Sequence, residues 1–153
     1  MPPFLFSTND EVPVVERFAH GQPKCQGRSV DERREGRWTW WHADGEVRAT
    51  GYFDGGAGQG LWTFHYPGGI TDCEGEYHRG QRQYLWTFWH ANGRLEARGE
   101  YHDGQEDGRW TDWFDNGQKR EEGEYCQGRK VGVWTHWDKT GTRTWQVDHA
   151  ADP

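Results

Sequence analysis

The chain is short of the residues from which most protein cores are built. Hydrophobic residues fill 32% of its 153 positions, and only one is Met. Leu, Ile and Val are too few for an ordinary aliphatic core. No stretch approaches the roughly 20 apolar residues of a membrane helix. Serine occurs twice, as Ser7 and Ser29. Neither lies in a nucleophile elbow, and there is no GxxxxGK[ST] loop, so serine hydrolysis and phosphate-loop chemistry are both disfavoured. The three cysteines, Cys25, Cys73 and Cys126, are odd in number and widely spaced. That fits a reducing, cytoplasmic setting better than a disulfide framework. No CxxC or HExxH pair offers a metal site. Met1–Phe6 has neither the basic nor the apolar region of a secretion signal. Cations are outnumbered as well, with 18 Lys and Arg against 25 Asp and Glu, for a net charge of −7. Nucleic-acid binding needs the opposite balance, and a membrane of anionic lipid should attract the chain only weakly.

Tryptophan and glycine, by contrast, are abundant, at 11 and 22 residues. Low apolar content with net charge points towards disorder, but so many indoles do not. The two abundances share one period. Trp38, Trp62, Trp86, Trp110 and Trp134 follow one another at intervals of 24 residues, each followed by Thr. Further columns keep the same interval: Gly45, Gly69, Gly93, Gly117 and Gly141; Gly51, Gly75, Gly99 and Gly123; Phe53, Tyr77, Tyr101 and Tyr125; Gly56, Gly80, Gly104 and Gly128. Gly36, Gly60, Gly108 and Gly132 stand two before the Trp, with Tyr84 the exception. A fixed period of this length signals a repeat architecture.

Each unit reads as a β-hairpin. Segments such as Arg109–Phe114 are rich in strand formers and run into turn signals such as Asp115-Asn116-Gly117. No apolar pattern of helical period appears. Short turns make successive strands antiparallel neighbours. The expectation is an all-β chain: an elongated single-sheet antiparallel meander of stacked 24-residue hairpins, about ten strands and roughly 50 Å long. Residues 1–35 are read as an N-terminal cap, with one extra strand, a partial repeat, and an irregular charged loop from Arg28 to Glu35. Residues 36–153 are read as five repeats, the last incomplete. A Gly two before an aromatic in every second strand suggests a ring from a neighbouring strand lying on bare backbone.

The unit Gly-x-Trp-x-x-[Trp/Phe]-x-x-Asn-Gly-x(5)-Gly-x-Tyr-x-x-Gly, seen most fully in Arg109–Gly132, resembles the bacterial MORN-repeat variant, the repeat of the YwqK-like antitoxin family. The resemblance covers about residues 36–149. It implies stacked hairpins and a role as an antitoxin or immunity protein, or more broadly as a protein-binding scaffold. Eukaryotic relatives look like membrane-associated or tethering modules, which makes a general scaffold or membrane-proximal tether the alternative. The family offers no catalytic residue to carry over.

Two surfaces stand out as candidate partner sites. Two and four residues after the Trp column the sequence varies, with Trp40, Phe64, Phe88, Asp112 and His136, then His42, Tyr66, His90, Phe114 and Asp138. Varying positions on a constant scaffold suit recognition, and aromatic anchors near Arg48, Asp72, Glu74 and Glu76 resemble an interface. The plainer reading is that these rings stack on the next repeat. The second surface is an acidic ladder of Glu74, Glu76, Glu100, Glu122 and Glu124, which suits a basic partner, or else a solvated face that discourages sheet association. The expected partner is therefore a protein, with a basic toxin matching the charge, blocked by occlusion through Trp40, His42, Phe64, Tyr66, Phe88, His90 and Phe114 with Glu74, Glu76 and Glu100. No nucleic acid, cofactor, metal or catalytic role is expected. His78 and His102 share a column with Asp54 and Cys126, but adjacent copies stand two strands, about 9–10 Å, apart, too far to share a metal. Oligomerisation through an edge strand is left open.

Overall fold

The computed structural model describes residues 12–149. The expectation of a cap lies outside the described residues for positions 1–11. Among the described residues there is no helix. The chain forms twelve strands: β1 (Val12–Arg17), β2 (Pro23–Val30), β3 (Arg33–Trp41), β4 (Val47–Asp54), β5 (Ala57–His65), β6 (Thr71–His78), β7 (Gln81–Trp89), β8 (Leu95–His102), β9 (Gln105–Trp113), β10 (Lys119–Cys126), β11 (Arg129–Trp137) and β12 (Arg143–His149). They lie side by side in chain order in one open sheet, with each neighbouring pair antiparallel. The expected single-sheet meander is what the chain adopts.

The N-terminal part differs from expectation. The segment read as an irregular loop, Arg28 to Glu35, is instead the end of β2, a tight turn and the start of β3. Asp31 and Glu32 make that turn with φ of +48° and +63°, the two left-handed residues a type I′ hairpin requires. The same turn elsewhere uses Gly at its second position, as in Arg79-Gly80 and Asp103-Gly104. The unit thus extends one period upstream, with Gly21 and Gly27 in the two glycine columns and Val14 where the indole would be. The loss of its Trp hides this hairpin from a pattern search.

Packing explains the glycines. A Cβ placed on Gly27, Gly51, Gly75, Gly99 or Gly123 would fall inside the indole of the following unit, 2.1–2.3 Å from a ring atom. Each Trp therefore lies flat on the bare backbone of the preceding unit. A bulge brings it there: Thr50 pairs with Thr63 and Tyr52 with Gln59, so Gly51 faces three residues, Gly60 to Trp62. The bend requires a left-handed residue, and Gly36, Gly60, Gly108 and Gly132 supply it with φ of +61° to +69°. Each indole N–H donates to a carbonyl ten residues earlier, as in Trp62 to Tyr52 at 3.2 Å and Trp86 to Glu76 at 3.1 Å. The ring is thus buried without an orphaned donor. Edge-on contacts join the indoles to the Phe and Tyr column in one continuous series from Trp38–Phe53 to Tyr125–Trp134. Trp38, Trp86 and Trp134 are at most 1% exposed although only one layer of sheet covers them. Burying such a ring contributes about 4–6 kcal/mol at most, which is how a chain poor in aliphatics acquires a core.

Candidate functional site

Side chains alternate between faces along a strand, and cross-strand partners share a face. The ring face carries the indoles with Trp40, Phe64 and Phe88, because Trp40 pairs with Ala49 and Trp38 with Gly51. The opposite face carries the Thr column, Glu74, Glu76 and Glu100, because Thr63 pairs with Glu74, Leu61 with Glu76 and Leu85 with Glu100. The candidate residues therefore divide between two surfaces. Expecting Glu74 and Glu76 beside the aromatic anchors is wrong: the sheet lies between them.

On the ring face the aromatic candidates are half-buried and much engaged. Trp40 packs between Trp38 and Trp62 at 5.8 and 5.3 Å, Phe64 between Trp62 and Trp86, and Phe88 between Trp86 and Trp110. The residues four after the Trp tie neighbouring units together. His42 Nε2 lies 2.9 Å from the carbonyl of His65, the Tyr66 hydroxyl donates to the carbonyl of Trp89 at 3.0 Å, and His90 Nε2 lies 2.9 Å from the carbonyl of Trp113. A carbonyl only accepts, so both imidazoles carry their proton on Nε2. Phe114 has no polar atom to repeat the tie, and Lys139 lies over its ring at 5.8 Å.

Further along the same face, ions replace rings. Asp112 takes the position of Phe88 and Glu121 that of Ala97. Arg120 holds Asp112 at 2.9 Å, and Lys130 holds Glu121 at 2.8 Å with His136 at 3.5 Å. Burial pushes the Asp112 carboxyl up despite Arg120. Burial also raises Glu121, but the hydrogen bond and charge of Lys130 outweigh it and hold that carboxyl down. The sequence showed Asp112 and His136 as members of the variable column but not that they meet Glu121 in a paired network.

The opposite face is the more open one. Leu61 is 62% exposed, Leu85 42% and Val133 54%, all in the position just before the indole. Glu76 and Glu100 are exposed beside them. Among the described residues no cation or hydrogen-bond donor meets the Glu74, Glu76 or Glu100 carboxylates. Glu122 is different, bound by Arg109 at 2.6 Å, Lys119 at 2.7 Å and the Thr111 hydroxyl at 3.0 Å. Burial alone would raise it, yet those bonds bring its pKa down to about 2. The leucines escaped the sequence reading, although their column, apolar on a face otherwise polar, was the available signal. Among the described residues no group of three or more His, Cys, Asp or Glu is gathered closely enough to hold a metal. Cys25 and Cys73 are buried and unpaired, and burial pushes the Cys73 thiol up to about 11. No helix among the described residues is long and apolar enough to cross a membrane.

The family model described as MORN repeat variant matches residues 34–54 and 106–127. The two segments begin at the same phase of the unit, three periods apart. These two segments are MORN-type repeats. The matched segments hold the β3–β4 and β9–β10 hairpins, and the units between and beside them share the same indole-on-glycine packing. Comparison with curated proteins finds no match.

Proposed function

We propose that this MORN-repeat chain is a non-enzymatic protein-binding module and, following the resemblance of its repeat to the YwqK-like family, an antitoxin or immunity protein that neutralises its toxin by occlusion. The observation that carries the binding reading is the row of exposed leucines, Leu61 and Leu85, set among carboxylates without counter-ions at Glu74, Glu76 and Glu100. Exposed apolar side chains ringed by unmatched charge favour a partner that supplies both apolar contacts and cations. A basic toxin has that chemistry. The ring face contributes stiffness, because its His42, Tyr66 and His90 ties and its stacked rings hold neighbouring hairpins together.

The test is co-expression with the product of the adjacent gene, followed by affinity capture. Neutralisation and a stable complex are expected. Leu61→Asp and Glu76→Lys should each weaken capture by at least tenfold while leaving the circular dichroism spectrum intact. A non-toxic neighbour with no co-purifying protein would remove the antitoxin reading.

A further inference from the structure

Four of the five Trp-bearing units place a long side chain four residues before the indole: Arg34, Arg82, Glu106 and Lys130. Three are cations laid over rings. Arg34 Cζ is 4.7 Å from the Trp38 centroid, Arg82 Cζ 4.3 Å from that of Trp86, and Lys130 Nζ 3.9 Å from that of Trp134. The second unit has Gly58 at this position. Its backbone does not demand glycine, since its φ is not left-handed and an added Cβ would meet Trp62 and Tyr77 at an ordinary 3.5 Å. The effect of this glycine is that the second unit brings no lid of its own to the rings of Trp62 and Phe64.

A cleft of about 540 Å³ opens over these rings, within the roughly 300–1,000 Å³ of small-molecule sites. Trp40 and Phe64 provide aromatic walls, and Arg34, Arg48 and Asp72 line it as well. Among the described residues neither Arg34 nor Arg48 has a carboxylate partner. Asp72 lies beside the Tyr66 hydroxyl, which burial first and then this carboxylate push up to about 12. The corresponding positions in the next units are matched: Glu96 lies 3.9 Å from His90 and Arg120 2.9 Å from Asp112. The cleft thus carries an excess of positive charge in a chain whose net charge is −7.

We propose that this cleft binds a small aromatic carboxylate, its ring against Trp40 and Phe64 and its carboxylate between Arg34 and Arg48. Ring stacking favours a flat apolar body, and guanidinium groups without a carboxylate partner favour a planar carboxylate. A cationic ligand would meet two like charges. The site is independent of the leucine-bearing face, which lies on the other side of the sheet.

The experiment follows the indole N–H resonances of the full chain during titration with phenylacetate, phenylacetamide and phenethylammonium. Phenylacetate should move the Trp40 signal saturably and bind at least tenfold more tightly than the amide. Arg48→Gln should reduce it to the level of the amide. Gly58→Arg, which supplies the missing lid, should abolish binding at an unchanged or higher melting temperature, whereas Leu61→Asp should leave binding unchanged. Equal affinity for acid and amide, preference for the ammonium compound, or full binding by a folded Gly58→Arg variant would each overturn the proposal.

Discussion

Gly99 has no side chain because Trp110 occupies the space where one would begin, with ring carbons 2.1 Å from the position of a Cβ. Gly99→Ala must displace a nearly buried indole, so we predict a loss of about 1–3 kcal/mol, read from the urea midpoint. Two residues stand where the fold prefers glycine and carry the reverse prediction. Tyr84 has φ +59° in the bulge column and Glu32 has φ +63° in the turn column. A left-handed side chain costs roughly 1–2 kcal/mol. Tyr84 is 64% exposed and loses little packing when removed, so Tyr84→Gly and Glu32→Gly should each raise stability by about 1 kcal/mol. Glu122 adds a pH dependence. Its pKa of about 2 lies below the roughly 4.3 of an unfolded glutamate. Its contribution is complete above the unfolded value and disappears as pH falls through the folded one. Glu122→Gln should therefore flatten the decline in stability between about pH 4.5 and 2, measured by urea titration at each pH.

At the scale of the hairpin, the unit and its strand order were legible in the columns, because one interaction, indole on glycine, fixes the interval between them. The β1–β2 hairpin was not legible, since Val14 stands in the Trp column and only Gly21 and Gly27 keep the beat. Alternation along a strand is enough to separate Trp40 from Thr39, but it does not foresee that the side chains of His42, Tyr66 and His90 reach carbonyls 23 residues on. Those contacts depend on how far each hairpin is offset by its bulge. The same alternation places Leu61 and Leu85 opposite the indoles, a column the sequence reading passed over, and it does not reveal that nothing covers them. Among the described residues the first and last hairpins have one neighbour instead of two. The β12 strand is largely exposed, Trp145 included. Amide hydrogen exchange should therefore be fastest in β1 and β12 and slowest in β5–β8.

For the whole molecule, stability is a sum over neighbours, as in other repeat proteins. Removing Gln81–Gly104, one whole unit, joins Gly80 to Gln105 and preserves the Gly-Gln step already present there. Trp110 would then rest on Gly75 instead of Gly99. This variant should fold as a ten-strand sheet with a urea m-value lower by about one sixth, since m follows the surface exposed on unfolding. Removing half a unit would put each indole against the wrong strand, and that variant should lose its cooperative transition.

Val147 occupies the column that holds Gly123 one unit earlier, paired across from Trp134. The next indole of an extended array would have to lie where its side chain stands. A hairpin appended after β12 finds no seat, whereas one inserted between existing units finds two. For the gene, this makes lengthening an internal event. Slippage or unequal exchange between neighbouring copies of the unit stays in frame and yields a protein that folds, while a copy added behind Val147 yields an unanchored tail. Binding surfaces can therefore be widened or narrowed by recombination among interior units while the sealed end stays the same.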